Sequence, residues 1–212
     1  MLVEDVMRVN LITLKPEDSV LDALQKAKEN RIRHLPVVEG DRLAGIVSDR
    51  DLRDAKPSIF VPEDLDLLKA KKVKDIMKAN IITAHPLDSV DEAARILYEH
   101  KIGCLPVIKD EKLVGIVTET DLLRSLVELM GATNPGSLIT IEFVDRPGIL
   151  ADVSGIIKNY GININSVFLR KSKKKPGHTL LSMRIATIMP EHIVSEIKKA
   201  GFTVTWPMDG GI

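Results

Sequence analysis

Two short stretches carry hydroxyl and carboxylate side chains at a spacing that can do chemistry. Ser48-Asp-Arg-Asp51 and Thr118-Glu-Thr-Asp121 each follow an apolar run, Leu43–Val47 and Leu113–Val117, and each opens a helical pattern. A helix start leaves backbone N–H groups unpaired, and its dipole favours an anion such as a phosphate. A carboxylate one turn later can accept two hydrogen bonds from vicinal hydroxyls, as acids do for ribose in other nucleotide folds. The same residues also fit a capping box, in which hydroxyl and carboxylate satisfy backbone N–H groups and need no ligand. The copies are unequal. Arg50 stands where the second has Thr120, and Arg31, Arg33 and His34 stand where it has Lys101, Gly103 and Cys104. The first copy is therefore the more cationic, and Arg33 and Arg50 are its candidate phosphate partners.

Other reactive residues are isolated. There is no Gly-x-Ser-x-Gly, no P-loop, no His-Glu-x-x-His and no Cys/His nucleophile pair. His100 and Cys104 are four apart, but a helix end and a proline-containing run separate them and no third ligand is near, so no metal is expected. His34 is a strand-end residue or a phosphate neighbour, and His85 before Pro86 reads as loop. Lys171-Ser-Lys-Lys-Lys175 reads as a solvated hairpin tip. The recurring acids sit at cap positions, which suits holding a ligand rather than moving protons.

The elements that position the two stretches are themselves duplicated. Aligning Val3 with Val73 holds register without a gap to Leu52 and Leu122, with 22 identities over 50 positions. Each copy reads β-α-β-β-α. In the first, Val3–Met7 is a helical turn and Leu11–Leu14 a strand stopped by Lys15-Pro16. Ser19 caps a helix to about Asn30, with Val20, Leu24 and Ala27 on one face. His34–Val38 and Leu43–Val47 flank a turn at Glu39-Gly-Asp41. The second copy repeats this with Ile81–Thr83, Ser89–His100, Leu105–Ile108, Leu113–Val117 and a helix from Thr118 to about Met130. One unit buries too little apolar surface to be secure alone. The two are expected to pack as one body about a pseudo-two-fold axis. Arg53–Lys72, with Pro57, Pro62 and a charged helical piece over Glu63–Lys71, reads as a linker. Ala132–Ser137 is a polar Pro/Gly boundary.

The last third has a different order. Leu138–Val144 is a strand, and Asp145-Arg-Pro-Gly-Ile-Leu150 starts a helix with Pro147 in its first turn, closed after Tyr160 by Gly161. Ile162–Arg170 and Thr179–Thr187 form a hairpin, Pro190–Ala200 a helix, and Phe202–Trp206 a last strand. This β-α-β-β-α-β order is ferredoxin-like. The expected divisions are 1–70, 71–131, a linker 132–137 and 138–212, an α+β chain throughout.

Bulk properties exclude several classes. The 212 residues carry equal numbers of basic and acidic groups, 30 each, which argues against a whole-protein nucleic-acid binder. Aromatics are only 3%, so the core is aliphatic and base-stacking platforms are not expected. The single Cys104 rules out an internal disulfide. The start Met1-Leu-Val-Glu-Asp-Val lacks a basic and an apolar region, and no run nears 18 apolar residues, so a cytoplasmic protein with no membrane span is expected.

Leu35-Pro-Val37 with Gly45–Leu52, and Leu105-Pro-Val107 with Gly115–Leu122, resemble CBS domains, and the pair resembles a Bateman module. Asp145–Leu150 with Asn163-Ile-Asn165 resembles an ACT domain. The CBS-CBS-ACT order, with Ser58-Ile-Phe60, Ala84–Asp88 and Gly103–Pro106, is similar to the acetoin-utilisation family. The resemblance implies a regulatory protein with no catalytic cofactor that senses AMP, ADP, ATP or S-adenosylmethionine between the units. On that basis Asp51 and Asp121 would hold ribose, and Ser48 and Thr118 phosphate. Ile12-Thr13 and Ile82-Thr83 would flank adenine, with Pro36-Val37 and Pro106-Val107 as walls. In the ACT part, Asp145, Gly148, Ile149, Leu150 and Asn163 would contact an amino acid, and a homodimer through CBS or ACT surfaces is implied. Two other readings stay open: a scaffold docking on a metabolic enzyme, and an enzyme whose active site assembles at an oligomer interface.

Overall fold

Polar caps decide where the helices of the first two-thirds begin. The structure is a computed structural model in which residues 1–55 and 65–207 are described. The phrase Ser58–Phe60 lies outside the described residues. Ser19 accepts from Asp22 N (3.0 Å), and Asp22 returns a bond to Ser19 N (3.4 Å), starting α1 (Val20–Asn30). Arg31 ends it in the left-handed conformation, φ 52°, a position that a non-glycine residue holds at some cost. Hairpin β1 (His34–Glu39) and β2 (Arg42–Ser48) follows, then α2 (Asp49–Asp54). α3 (Leu65–Ala70) lies in the segment read as a linker, yet its Leu68 is 2% exposed and joins the core of Leu14, Leu35 and Leu52. It contributes to the first unit's core rather than serving only as a linker, because the amphipathic turn buries Leu68 while Leu67 stays exposed.

The second copy repeats the plan. α4 (Val90–His100) is capped by Ser89 and ended by left-handed Lys101, φ 54°. β3 (Cys104–Lys109) and β4 (Lys112–Thr118) form the hairpin, and α5 (Glu119–Leu129) follows. Both hairpins share one antiparallel register, which sets His34 opposite Ser48 and Cys104 opposite Thr118. This register delivers each hydroxyl turn beside the first residue of the preceding strand.

The expected strands at Leu11–Leu14 and Ile81–Thr83 are reduced to single parallel bridges, Leu14 to Val37 and Ala84 to Val107. The physical reason is proline: Pro16 and Pro86 end the extended run, and Pro36 and Pro106 offer a carbonyl but no N–H to a third strand.

The opening turn of each copy packs on the other copy. Val3, buried completely, lies in the core of Ala93, Leu105 and Val117, while Val73 lies in the core of Val20 and Leu35. Arg8 and Ile116 exchange backbone hydrogen bonds (2.9 and 3.0 Å), and so do Lys78 and Ile46 (2.9 and 3.0 Å). A Cβ on Gly115 would lie 2.5 Å from Met7 Sδ, and one on Gly45 2.5 Å from Met77 Sδ, so glycine is required at both close approaches. These reciprocal pairs are the pseudo-two-fold relation.

Contacts divide the chain into Met1–Leu123 and Arg124–Ile212. In the second unit β5 (Ser137–Val144), α6 (Ile149–Asn159), β6 (Ile164–Lys171), β7 (His178–Ile185), α7 (Glu191–Lys199) and β8 (Thr203–Trp206) form one antiparallel sheet of order β6-β7-β5-β8 under two helices. The aliphatic core runs through Ile141, Val153, Met183 and Ile193. The ferredoxin-like expectation holds. Pro147 differs: it precedes the helix, because Gly148 at φ 88° is the N-cap and the turn begins at Ile149.

Candidate functional site

Both hydroxyl turns form the capping box. In the first, Ser48 N donates to Asp51 Oδ2 (2.8 Å), Ser48 Oγ lies 2.5 Å from the same oxygen, and Asp51 N donates to Ser48 Oγ (3.3 Å). Asp49 N donates to Arg33 O (2.8 Å). Three N–H groups of this turn are thus satisfied within the protein, so an anion here depends on side chains rather than on the helix start. The carboxylate keeps Oδ1, which lies 3.7 Å from Lys78 Nζ. Burial pushes the Asp51 carboxyl up, but hydrogen bonds from Ser48 and the charge of Lys78 outweigh it, and the group titrates below the ordinary carboxylate value. In the second copy Thr118 N (3.1 Å) and Oγ1 (2.6 Å) engage Asp121 Oδ2, and Arg8 Nε donates to Oδ1 (2.9 Å).

The first turn opens onto a cleft of about 430 Å³. Arg33, Ser48, Arg50 and Asp51 line it, as the sequence suggested. Half of its wall comes from the other copy: Lys78, Asn80 and Ile81, with Lys101, Ile102, Gly103, Cys104 and Glu119. Ile12, Thr13, Ile82 and Thr83 do not line it. Val37 and Val107 have no exposed surface and sit in the two cores, and neither they nor the adjoining buried Pro36 and Pro106 line this cleft. Thr118 and Asp121 are not part of this cleft.

His34 also lines the cleft, with its ring against Gly103. Burial first, and Arg33 second, hold its imidazole below the ordinary value, against the pull of Asp49, Glu119 and Asp51. Burial pushes the Cys104 thiol up to about 12, which holds it as the neutral thiol at neutral pH. Among the described residues no cluster of three His, Cys, Asp or Glu could hold a metal. The cleft combines apolar Ile46, Ile81 and Ile102 with four cations, Arg33, Arg50, Lys78 and Lys101, and three carboxylates, Asp49, Asp51 and Glu119, a net excess of one positive charge. That combination suits a flat ring, vicinal hydroxyls and an anionic group.

Sequence reasoning missed Lys78, Asn80, Ile81 and the 101–104 wall because it matched each turn with its own copy. The signal was the duplication itself, since reciprocal packing sets each turn beside its partner's segments.

In the second unit Asp145, Gly148, Ile149 and Leu150 line one cavity of about 370 Å³ with Phe143, Leu169 and Thr179. Asn163 is not in its wall, and its carbonyl accepts from Ala186 N (2.9 Å). Asp145 is ion-paired with Lys171 and Glu142 with Lys175 (2.6 Å), so two lysines of the basic hairpin are tied back to the sheet. Thr179 Oγ1 is buried at the cavity without a hydrogen-bond partner.

Comparison with known proteins places these features. The family model for the CBS domain matches residues 3–58 and 73–128, and that for the ACT domain matches 137–202. A CBS domain-containing protein of Dictyostelium discoideum is 39% identical over 142 residues, 64% of this chain and 98% of the relative. An inosine-5'-monophosphate dehydrogenase of Methanocaldococcus jannaschii is 33% identical over 123 residues, and the match spans only 23% of that enzyme. Three solved structures share the fold of the first unit. The CBS domain pair of protein MJ0100, in complex with 5'-methylthioadenosine and S-adenosyl-L-methionine, is 32% identical (TM-score 0.52, 60% of this chain, 97% of that one). CBSX2 in complex with AMP is 33% identical (TM-score 0.51, 60% and 96%). A chain described as an acetoin utilization protein (AcuB) from Vibrio cholerae is 33% identical (TM-score 0.54, 64% and 98%).

Proposed function

Because this chain belongs to the CBS-domain family and carries an ACT domain behind the pair, we propose that it is a non-enzymatic cytoplasmic regulator that senses an adenine nucleotide. The observation that supports it most is the cleft in which Asp51, with one carboxylate oxygen left over from its cap and Lys78 3.7 Å from it, shares the wall with Arg33, Arg50 and Lys101 as well as Asp49 and Glu119. Asp51 Oδ1 takes the ribose hydroxyls, the cations take phosphate, and Ile46, Ile81 and Ile102 hold the ring. Related CBS pairs hold AMP, S-adenosyl-L-methionine and 5'-methylthioadenosine, which supports an adenosyl ligand. The ACT cavity around Asp145 and Thr179 takes an amino-acid effector. The chain acts as a homodimer, and exposed Leu123, Leu126 and Leu129 of α5 are candidate interface residues. Its target is a metabolic enzyme, with acetoin utilisation suggested by the Vibrio cholerae relative.

Melting temperature with AMP, ADP, ATP and S-adenosylmethionine tests the reading. A ligand at 100 times its dissociation constant stabilises by about 2.7 kcal/mol. No shift with any of the four sinks it in favour of a scaffold.

A further inference from the structure

The two hydroxyl turns face different cations at one pair of repeat-equivalent residues whose backbone pairing is the same in both. Arg8 and Lys78 are repeat equivalents, each held by a reciprocal backbone bridge to the strand before the hydroxyl turn, at Ile116 and Ile46. Their side chains end differently. Arg8 Nε donates to Asp121 Oδ1 at 2.9 Å, whereas Lys78 Nζ stays 3.7 Å from Asp51 Oδ1. The Asp121 side chain is left 2% exposed, and the Asp51 side chain 15%. Both Asp121 oxygens are thereby committed, Oδ2 to Thr118 and Oδ1 to the guanidinium. Guanidinium presents fixed, directional donors to a carboxylate, while an ammonium on a flexible stem holds it more loosely.

We propose that Arg8 is a built-in occupant of the second hydroxyl turn, where it takes the carboxylate a ribose would need and limits the chain to one nucleotide. This rests on the nucleotide reading of the first cleft. A ribose arriving at the second turn must displace a charge-assisted hydrogen bond from a buried carboxylate. At the first turn it meets an acceptor held only by an ammonium 3.7 Å away. The choice between Arg and Lys at one repeat position thus decides which turn keeps its carboxylate for a ligand.

Isothermal titration of the full chain with AMP tests this in the wild type, Arg8→Lys and Lys78→Arg. Lysine is the chosen replacement because alanine would strand a buried carboxylate without a partner. The expected stoichiometries are one, two and none. A count of one in the wild type and two in Arg8→Lys supports both ideas. None in the wild type with one in Arg8→Lys supports the occupant and refutes the first-cleft reading. Equal counts of one or two in both chains overturn the occupant and leave the nucleotide reading standing. No binding by either chain overturns both. In Arg8→Lys, Asp51→Asn should remove one of the two sites; if both persist, the receptive cleft has been misassigned.

Discussion

The ring of His34 lies where a Gly103 side chain would have to be. A Cβ there would come within 2.8 Å of both His34 Cε1 and Nε2. The repeat places Arg33 at the position equivalent to Gly103, so the second copy lacks a side chain at the point where the first copy's imidazole crosses into it. Gly103→Ala should push His34 into the cleft. The expected result is at least a tenfold loss of AMP affinity in titration, with overpacking costing about 1–3 kcal/mol in chemical denaturation. Unchanged affinity would remove His34 from the cleft wall.

The same histidine sets a pH dependence. Its folded-state pKa lies below the ordinary 6.5, chiefly through burial. The unfolded chain therefore binds the proton more readily, and stability falls as pH drops from near 7 toward the folded pKa, then levels off. His34→Gln should flatten the melting curve against pH in that window. For Asp51 the sign is the same but the cause differs: hydrogen bonds and Lys78 favour its charged form, so its contribution is present above about 3.8 and is lost as pH falls through the lower folded value.

Asp51→Asn separates the cap from the ligand role. Losing a cap costs about 1 kcal/mol. Ribose recognition predicts a drop in AMP affinity of more than tenfold as well. Ser48→Ala should cost similar stability but spare most of the affinity, because Asp51 Oδ1 is untouched. Equal affinity losses in the two variants would mean that the turn matters only as a cap.

Thr179→Val addresses the ACT cavity. The hydroxyl is buried and unpartnered, so an isosteric methyl should leave the free protein as stable or slightly more so. Any melting shift produced by an amino acid should vanish in this variant. A shift that survives would place the effector elsewhere.

Leu68→Ala measures whether α3 belongs to the core. At 2% exposure, truncation should cost about 2–5 kcal/mol in urea unfolding. A cost under about 0.5 kcal/mol would return α3 to the status of a surface linker.

Much of this molecule is local and therefore legible in its sequence. The duplication, the Ser19 and Ser89 caps, the hairpins and the β-α-β-β-α-β order all follow from residue spacing, because caps, turns and alternation act within a few positions. The Ser48–Asp51 and Thr118–Asp121 turns were equally plain, as was the more cationic character of the first. What the tertiary structure decided is the pairing of parts far apart in sequence. Met7 and Arg8 pack on the second copy's strand and Met77 and Lys78 on the first's, so each turn is walled by its partner's segments. Repeat identity marks equivalent residues, but it is silent on whether a segment packs on its own copy or crosses over. That choice brought Lys78 beside Asp51 and put a guanidinium on Asp121.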